Sequence, residues 1–158
     1  MSSAFFYIDG IPTKGVWVEM EYIDGWGDVL QELVAAGYDK PDDILCADAE
    51  GLAKCFLSQY DCFDLAGYTE CRDQCPWAPE DAKTAYMDCF GSWDAPGFEE
   101  AYSGEWDSDT ALAEDFIEST VMLASIPDNL RGYFDTAAFA RDLMFDYSES
   151  GGHYFRNS

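Results

Sequence analysis

Apolar and polar positions along this chain change period several times, and each change predicts an element. Ala4 to Ile8 is a short apolar run that predicts a strand, followed by a turn through Asp9, Gly10 and Pro12. From Gly15 to Tyr22, Val16, Val18, Met20 and Tyr22 alternate with Trp17, Glu19 and Glu21, the period of a half-buried strand. Trp26, Val29, Leu30, Leu33 and Val34 then recur at helical spacing, and Gly37 stands where a helix ends. Ile44 to Ala47, after Pro41, predicts a third strand. The order β-β-α-β defines a small α+β subdomain over residues 1–60.

From about Glu50 to Trp93 the pattern is mostly helical. Leu52, Phe56 and Leu57 suggest one short helix, and Pro79 followed by Glu80 and Asp81 opens another that ends near Gly91. Pro76, Pro79 and Pro96 cut the segment into short pieces. Residues 61–98 are accordingly read as a helical middle subdomain.

Residues 99–158 carry the clearest signals. Asp107 or Ser108 caps a helix running to about Met122, with Leu112, Phe116, Thr120 and Leu123 along one side and Glu114, Asp115 and Glu118 on the opposite arc. Asp135 or Thr136 caps a second helix holding Phe139, Leu143 and Met144. Phe145 to Phe155, turning through Glu149 to Gly152, predicts a terminal β-hairpin. The fold class is α+β: a small N-terminal sheet plus helix, a helical middle, and a C-terminal α+β subdomain with a hairpin.

Charge changes the picture. The 158 residues hold 32 Asp plus Glu against 8 Lys plus Arg, a formal charge of −24. Magnitudes of roughly 2–8 are usual for a small soluble domain, and the excess costs stability through self-repulsion. With 48% hydrophobic and 16% aromatic residues the chain still fills a core, which argues against disorder. Nucleic acid is excluded as a direct ligand because binding it takes clustered Lys and Arg, and anionic membranes are excluded by the same sign. Met1 to Phe6 lacks the basic and apolar regions of a signal peptide, and no apolar run approaches the roughly 18 residues of a membrane span. The expectation is a cytoplasmic protein. Its six cysteines are then reduced; Cys71 and Cys75 make a C-x3-C pair without a second close pair, and the lone His153 is distant, so buried free thiols outweigh a zinc site. No metal or cofactor is expected.

The acids concentrate where cations vanish. Between Lys83 and Arg131 there is no Lys, Arg or His, yet there are eleven carboxylates interleaved with Trp93, Phe98, Tyr102, Trp106 and Phe116. Asp94, Glu99, Glu100, Glu105, Asp107, Asp109, Glu114, Asp115 and Glu118 are the candidate partner-binding acids. Helix caps and core aromatics in the same segment imply that the charges are displayed on an ordered surface. Duplex DNA presents about one charge per 1.7 Å, so a charge of −24 matches roughly 40 Å of duplex. Halophilic adaptation explains acidity but not the large aromatics and cysteines. A calcium loop starts at Asp107 and Asp109 but meets Ala111 and Leu112 where ligands are needed. Carboxylate pairs abound, none stands out, and no nucleophile motif accompanies the single His, which disfavours an enzyme.

Ordered motifs then carry a resemblance. Ile126-Pro127, Tyr133-Phe134-Asp135, Ala140-Arg141-Asp142-Leu143 and Gly151-Gly152-His153-Tyr154-Phe155 follow one another in the C-terminal third. Tyr102-Ser103-Gly104-Glu105-Trp106-Asp107-Ser108 precedes them, with Gly15-Val16-Trp17-Val18 and Asp48-Ala49-Glu50-Gly51 further upstream. In order and spacing these resemble the ArdA antirestriction family over nearly the whole chain, although Cys62 to Trp93 matches no family element. The resemblance implies an elongated chain of three small subdomains, a homodimer, and carboxylates arranged like the phosphates of bent duplex. It implies a non-enzymatic DNA mimic that occupies the DNA-binding groove of type I restriction-modification enzymes in the bacterial cytoplasm. Glu114 to Glu118 is the nearest counterpart of the family's short acidic motif, and Arg141 is read as structural. Phe134, Phe139, Phe145 and Tyr154, in the densest apolar stretch, are the candidate dimer contacts. The alternative is an acidic inhibitor or adaptor for another basic partner, such as a different defence nuclease or a nucleoid protein.

Overall fold

The computed structural model describes residues 1–8, 15–38 and 43–158. The turn read through Asp9, Gly10 and Pro12, and Pro41, lie outside the described residues. Among the described residues the chain is α+β, with seven α-helices and two three-stranded antiparallel sheets. It divides into two compact units, Met1–Ala95 and Pro96–Ser158.

In the first unit β1 (Ser3–Ile8) lies between β2 (Val16–Glu19) and β3 (Ile44–Glu50). Alternation along β2 buries Val18 and leaves Trp17 and Glu19 outside. Helix α1 (Trp26–Ala35) packs on β1 and β2 and buries Val29 and Leu33. It closes on Gly37, whose φ of +106° favours glycine. Phe6, fully buried, meets Trp26 at 5.9 Å and Phe63 at 5.7 Å, both edge-on. Residues on both sides of position 60 therefore share one core, which Phe56 and Tyr68 extend.

Two expectations are corrected here. The second strand stops at Glu19, because Met20–Tyr22 forms a 3-10 turn closed by the Ile23 N–H on the Met20 carbonyl. Buried Met20 and exposed Tyr22 keep a strand's period without a strand's backbone. The helix read from Leu52, Phe56 and Leu57 is a single 3-10 turn, Lys54–Phe56. The real helix α2 (Leu65–Asp73) starts after Asp64, whose carboxylate accepts the Gly67 N–H at 3.0 Å. Helix α3 (Glu80–Phe90) follows Pro79 and ends on Gly91, at φ +86°.

In the second unit α4 (Ala95–Ala101) runs directly into β4 (Tyr102–Glu105). The central strand β6 (His153–Arg156) lies between β4 and β5 (Tyr147–Ser150). Gly151 and Gly152 have φ of +57° and +87°, the positive pair that a tight two-residue hairpin turn demands. Helix α5 (Asp109–Ser119) starts at Ser108, whose hydroxyl accepts from the Ala111 N–H. After a single helical turn, α6 (Asp128–Arg131), helix α7 (Thr136–Leu143) starts at Asp135, which accepts from the Ala138 N–H, and packs on α5. Phe98 and Phe155, both fully buried, share the core with Tyr102, which stacks on Phe98 at 5.1 Å. Helix α5 ends at Ser119, short of Met122, because Val121 turns left-handed (φ +51°) before a 3-10 turn over Met122–Ser125. The hairpin begins at Tyr147 rather than Phe145, since Met144–Asp146 is another such turn. No helix among the described residues is long and apolar enough to cross a membrane.

Candidate partner-binding surface

All nine candidate acids are exposed, and local structure explains why. Helix α5 buries Leu112, Ala113 and Ile117, so Glu114, Asp115 and Glu118 fall on its outer arc. On α4, Phe98 faces the core while Glu99 and Glu100 face out. Glu105 ends β4 and Asp107 follows it. Asp109 sits in the first turn of α5, where a carboxylate complements the helix dipole, and accepts the Tyr154 hydroxyl at 2.6 Å. Asp94 belongs to the first unit. Glu100, Glu105, Asp107, Glu114, Asp115 and Glu118 form no ion pair among the described residues.

Four cations among the described residues lie beside other acids. Arg72 reaches Asp24 and Asp73, both at 2.8 Å, and also donates to the Ile23 carbonyl. The Asp73 carboxylate, ahead of Asp24, raises the Arg72 guanidinium above its ordinary value, and Arg72 lowers Asp73 in return. Lys83, only 1% exposed, donates to the Cys71 and Arg72 carbonyls and to Glu80. Arg131 pairs with Asp128, and Arg141 with its neighbour Asp142 at 3.2 Å. Those positive charges are therefore held next to carboxylates outside the candidate set.

The four aromatic candidates separate. Phe145 is 80% exposed. Phe134 and Phe139 are half-buried and pack on each other at 5.7 Å, with Phe116 6.0 Å from Phe139. Tyr154 is only 3% exposed and lies inside its own unit, because β6 is a central strand covered at His153, Tyr154 and Phe155 in succession. It presents no open face to a second copy.

Cys71 and Cys75 are buried, as expected, and so is Cys46. Cys89 is half-buried, and Cys55 and Cys62 are exposed. Burial pushes Cys46 up to about 11 and Cys71 up to about 12. Among the described residues no group of three or more His, Cys, Asp or Glu is placed to hold a metal ion.

The first unit carries a concave surface outside the cation-free stretch. A cleft of about 410 Å³ there is lined by Trp17, Val18, Glu19, Tyr22, Ile23, Asp28, Gln31 and Glu32. The sequence signal for it is the outward set of β2, Trp17 and Glu19, which alternates with buried Val18.

Fold and surface together define an acidic α+β protein whose exposed carboxylates sit on folded elements. The family model for antirestriction protein (ArdA) matches residues 7–155, and the chain belongs to the ArdA antirestriction family. A search of curated proteins gave no match.

Proposed function

We propose that this protein inhibits type I restriction-modification enzymes by standing in for DNA in their binding groove, leaving both DNA and enzyme chemically unchanged. The observation that carries the reading is the set of exposed acids Glu100, Glu105, Asp107, Glu114, Asp115 and Glu118, which form no ion pair among the described residues, in a chain of the ArdA family. A groove built to neutralise phosphates offers such acids what they lack. The protein acts in the bacterial cytoplasm as a homodimer, with exposed Phe145, Tyr133, Leu130 and Val121 of the second unit facing the second copy. Expression in a restricting host tests the reading: plating of unmodified phage should rise, and no rise across several type I hosts would overturn it.

A further inference from the structure

The cleft in the first unit is more than a group of acids. It opens between the edge strand β2 and α1. Its volume of about 410 Å³ lies within the range of roughly 300–1,000 Å³ typical of ligand sites. Trp17, 46% exposed and packed against Phe5 at 5.5 Å, and Tyr22, 74% exposed, are among its lining residues. Exposed aromatics scattered singly need no explanation, but these two share one concave surface with Glu19, Asp28 and Glu32. Asp28 is partly committed, since one of its oxygens accepts the Asp24 and Gly25 N–H groups at the start of α1. Glu19 and Glu32 form no ion pair among the described residues. The turn carrying Tyr22 is braced from behind, because Arg72 donates to the carbonyls of Glu21 and Ile23 on either side of it. Among the described residues the lining has no cation.

We propose that this cleft seats an arginine side chain of the partner protein, its guanidinium lying against Trp17 and Tyr22 and its N–H groups reaching Glu19 and Glu32. A guanidinium fits because it is planar, stacks on aromatic faces and pairs with carboxylates in a fork, whereas a compact, strongly hydrated ammonium matches only the charge. A metal ion fits less well, since no described group of side chains converges to hold one. The proposal rests on the reading of the chain as an inhibitor of a basic, DNA-binding enzyme, and adds to it a local anchor away from the acids of the second unit.

The first test uses N-acetyl-arginine methylamide as the probe and its uncharged citrulline counterpart as the control, titrated into the isotopically labelled full chain. The Trp17 indole signal and the amides of Glu19, Tyr22 and Glu32 should shift and saturate with the arginine compound and stay still with citrulline. In the double variant Glu19→Gln, Glu32→Gln the saturating shift should weaken at least about fivefold. Shifts spread over all exposed acids without saturation, or equal shifts with citrulline, overturn the site. The second test measures inhibition of restriction by Trp17→Leu and by the double variant, each expected about tenfold weaker than the parent protein. Inhibition at full strength by both variants overturns the assigned occupant. Failure of the parent protein to inhibit at all would instead strike the antirestriction reading, and the arginine titration distinguishes the two.

Discussion

Tyr154 donates its phenolic hydrogen to the Asp109 carboxylate across 2.6 Å, so a buried ring of the central strand β6 anchors the first turn of α5. Tyr154→Phe should therefore cost about 1–2 kcal/mol in denaturant unfolding while leaving inhibition of restriction intact. Burial first, and then the Asp109 hydrogen bond and charge, raise Tyr154 above its ordinary value of 10.0. The folded protein keeps a proton that the unfolded chain releases. That contribution to stability is complete below pH 10 and is lost as pH climbs toward the raised value. Stability measured against pH should fall less steeply above pH 10 in Tyr154→Phe than in the parent.

Lys83 should matter to the fold far more than its partner Glu80. Its ammonium caps α2 through the Cys71 and Arg72 carbonyls at 2.9 and 3.0 Å and lies 5.9 Å from the Trp93 ring. Lys83→Met leaves those carbonyls without their donor and should cost about 2–4 kcal/mol. Glu80→Gln removes only the exposed partner and leaves both carbonyl bonds in place, so it should cost less than about 1 kcal/mol. Equal losses for the two variants in thermal unfolding would contradict the capping role.

Thiol reactivity should follow burial. At pH 7.5 a soluble alkylating reagent should modify Cys62 first and leave Cys46 and Cys71 untouched in the folded protein. Because burial raises both of the latter above 9.0, the folded state holds their protons longer and stability should begin to fall above pH 9. Mass spectrometry of the modified protein reads the order directly, and early modification of Cys71 would contradict its burial.

Much of this fold was legible where local chemistry and packing agree. Ser108 and Asp135 each cap a helix through a backbone N–H three residues on, and the Gly151-Gly152 pair sets the hairpin turn. The exposure of Glu114, Asp115 and Glu118 followed from their place opposite the apolar side of α5. Helix α2 was not legible because Gly67 and Thr69, poor helix formers, interrupt Leu65, Tyr68 and Cys71, and only the cap Asp64 announces it. Tyr154 misled because a central strand buries successive residues and leaves no alternation to read. The cleft beside α1 needs tertiary structure to bring Trp17 and Glu32 together, since they belong to different elements.

Phe145 should report on self-association. At 80% exposure it contributes little to its own unit, so Phe145→Asp should leave folding intact while weakening a dimer that uses this surface. Analytical ultracentrifugation at tens of micromolar should show a dimer for the parent and a shift toward monomer for the variant. A parent that sediments as a monomer would remove the dimer from the account.

Competition between this protein and a DNA duplex for a purified type I enzyme, at several salt concentrations, tests DNA mimicry most directly. Each exposed acid contributes only about 0.2–1 kcal/mol, and salt screens such charges beyond roughly 8–10 Å. Glu114→Gln and Asp115→Asn alone should therefore change affinity little. Neutralising Glu105, Asp107, Asp109, Glu114, Asp115 and Glu118 together should cost several kcal/mol, much of it as slower association. The parent protein should displace DNA competitively, and its affinity should fall at least about tenfold between 50 and 200 mM salt. Non-competitive inhibition, or an affinity that stays flat across that range, would contradict the account.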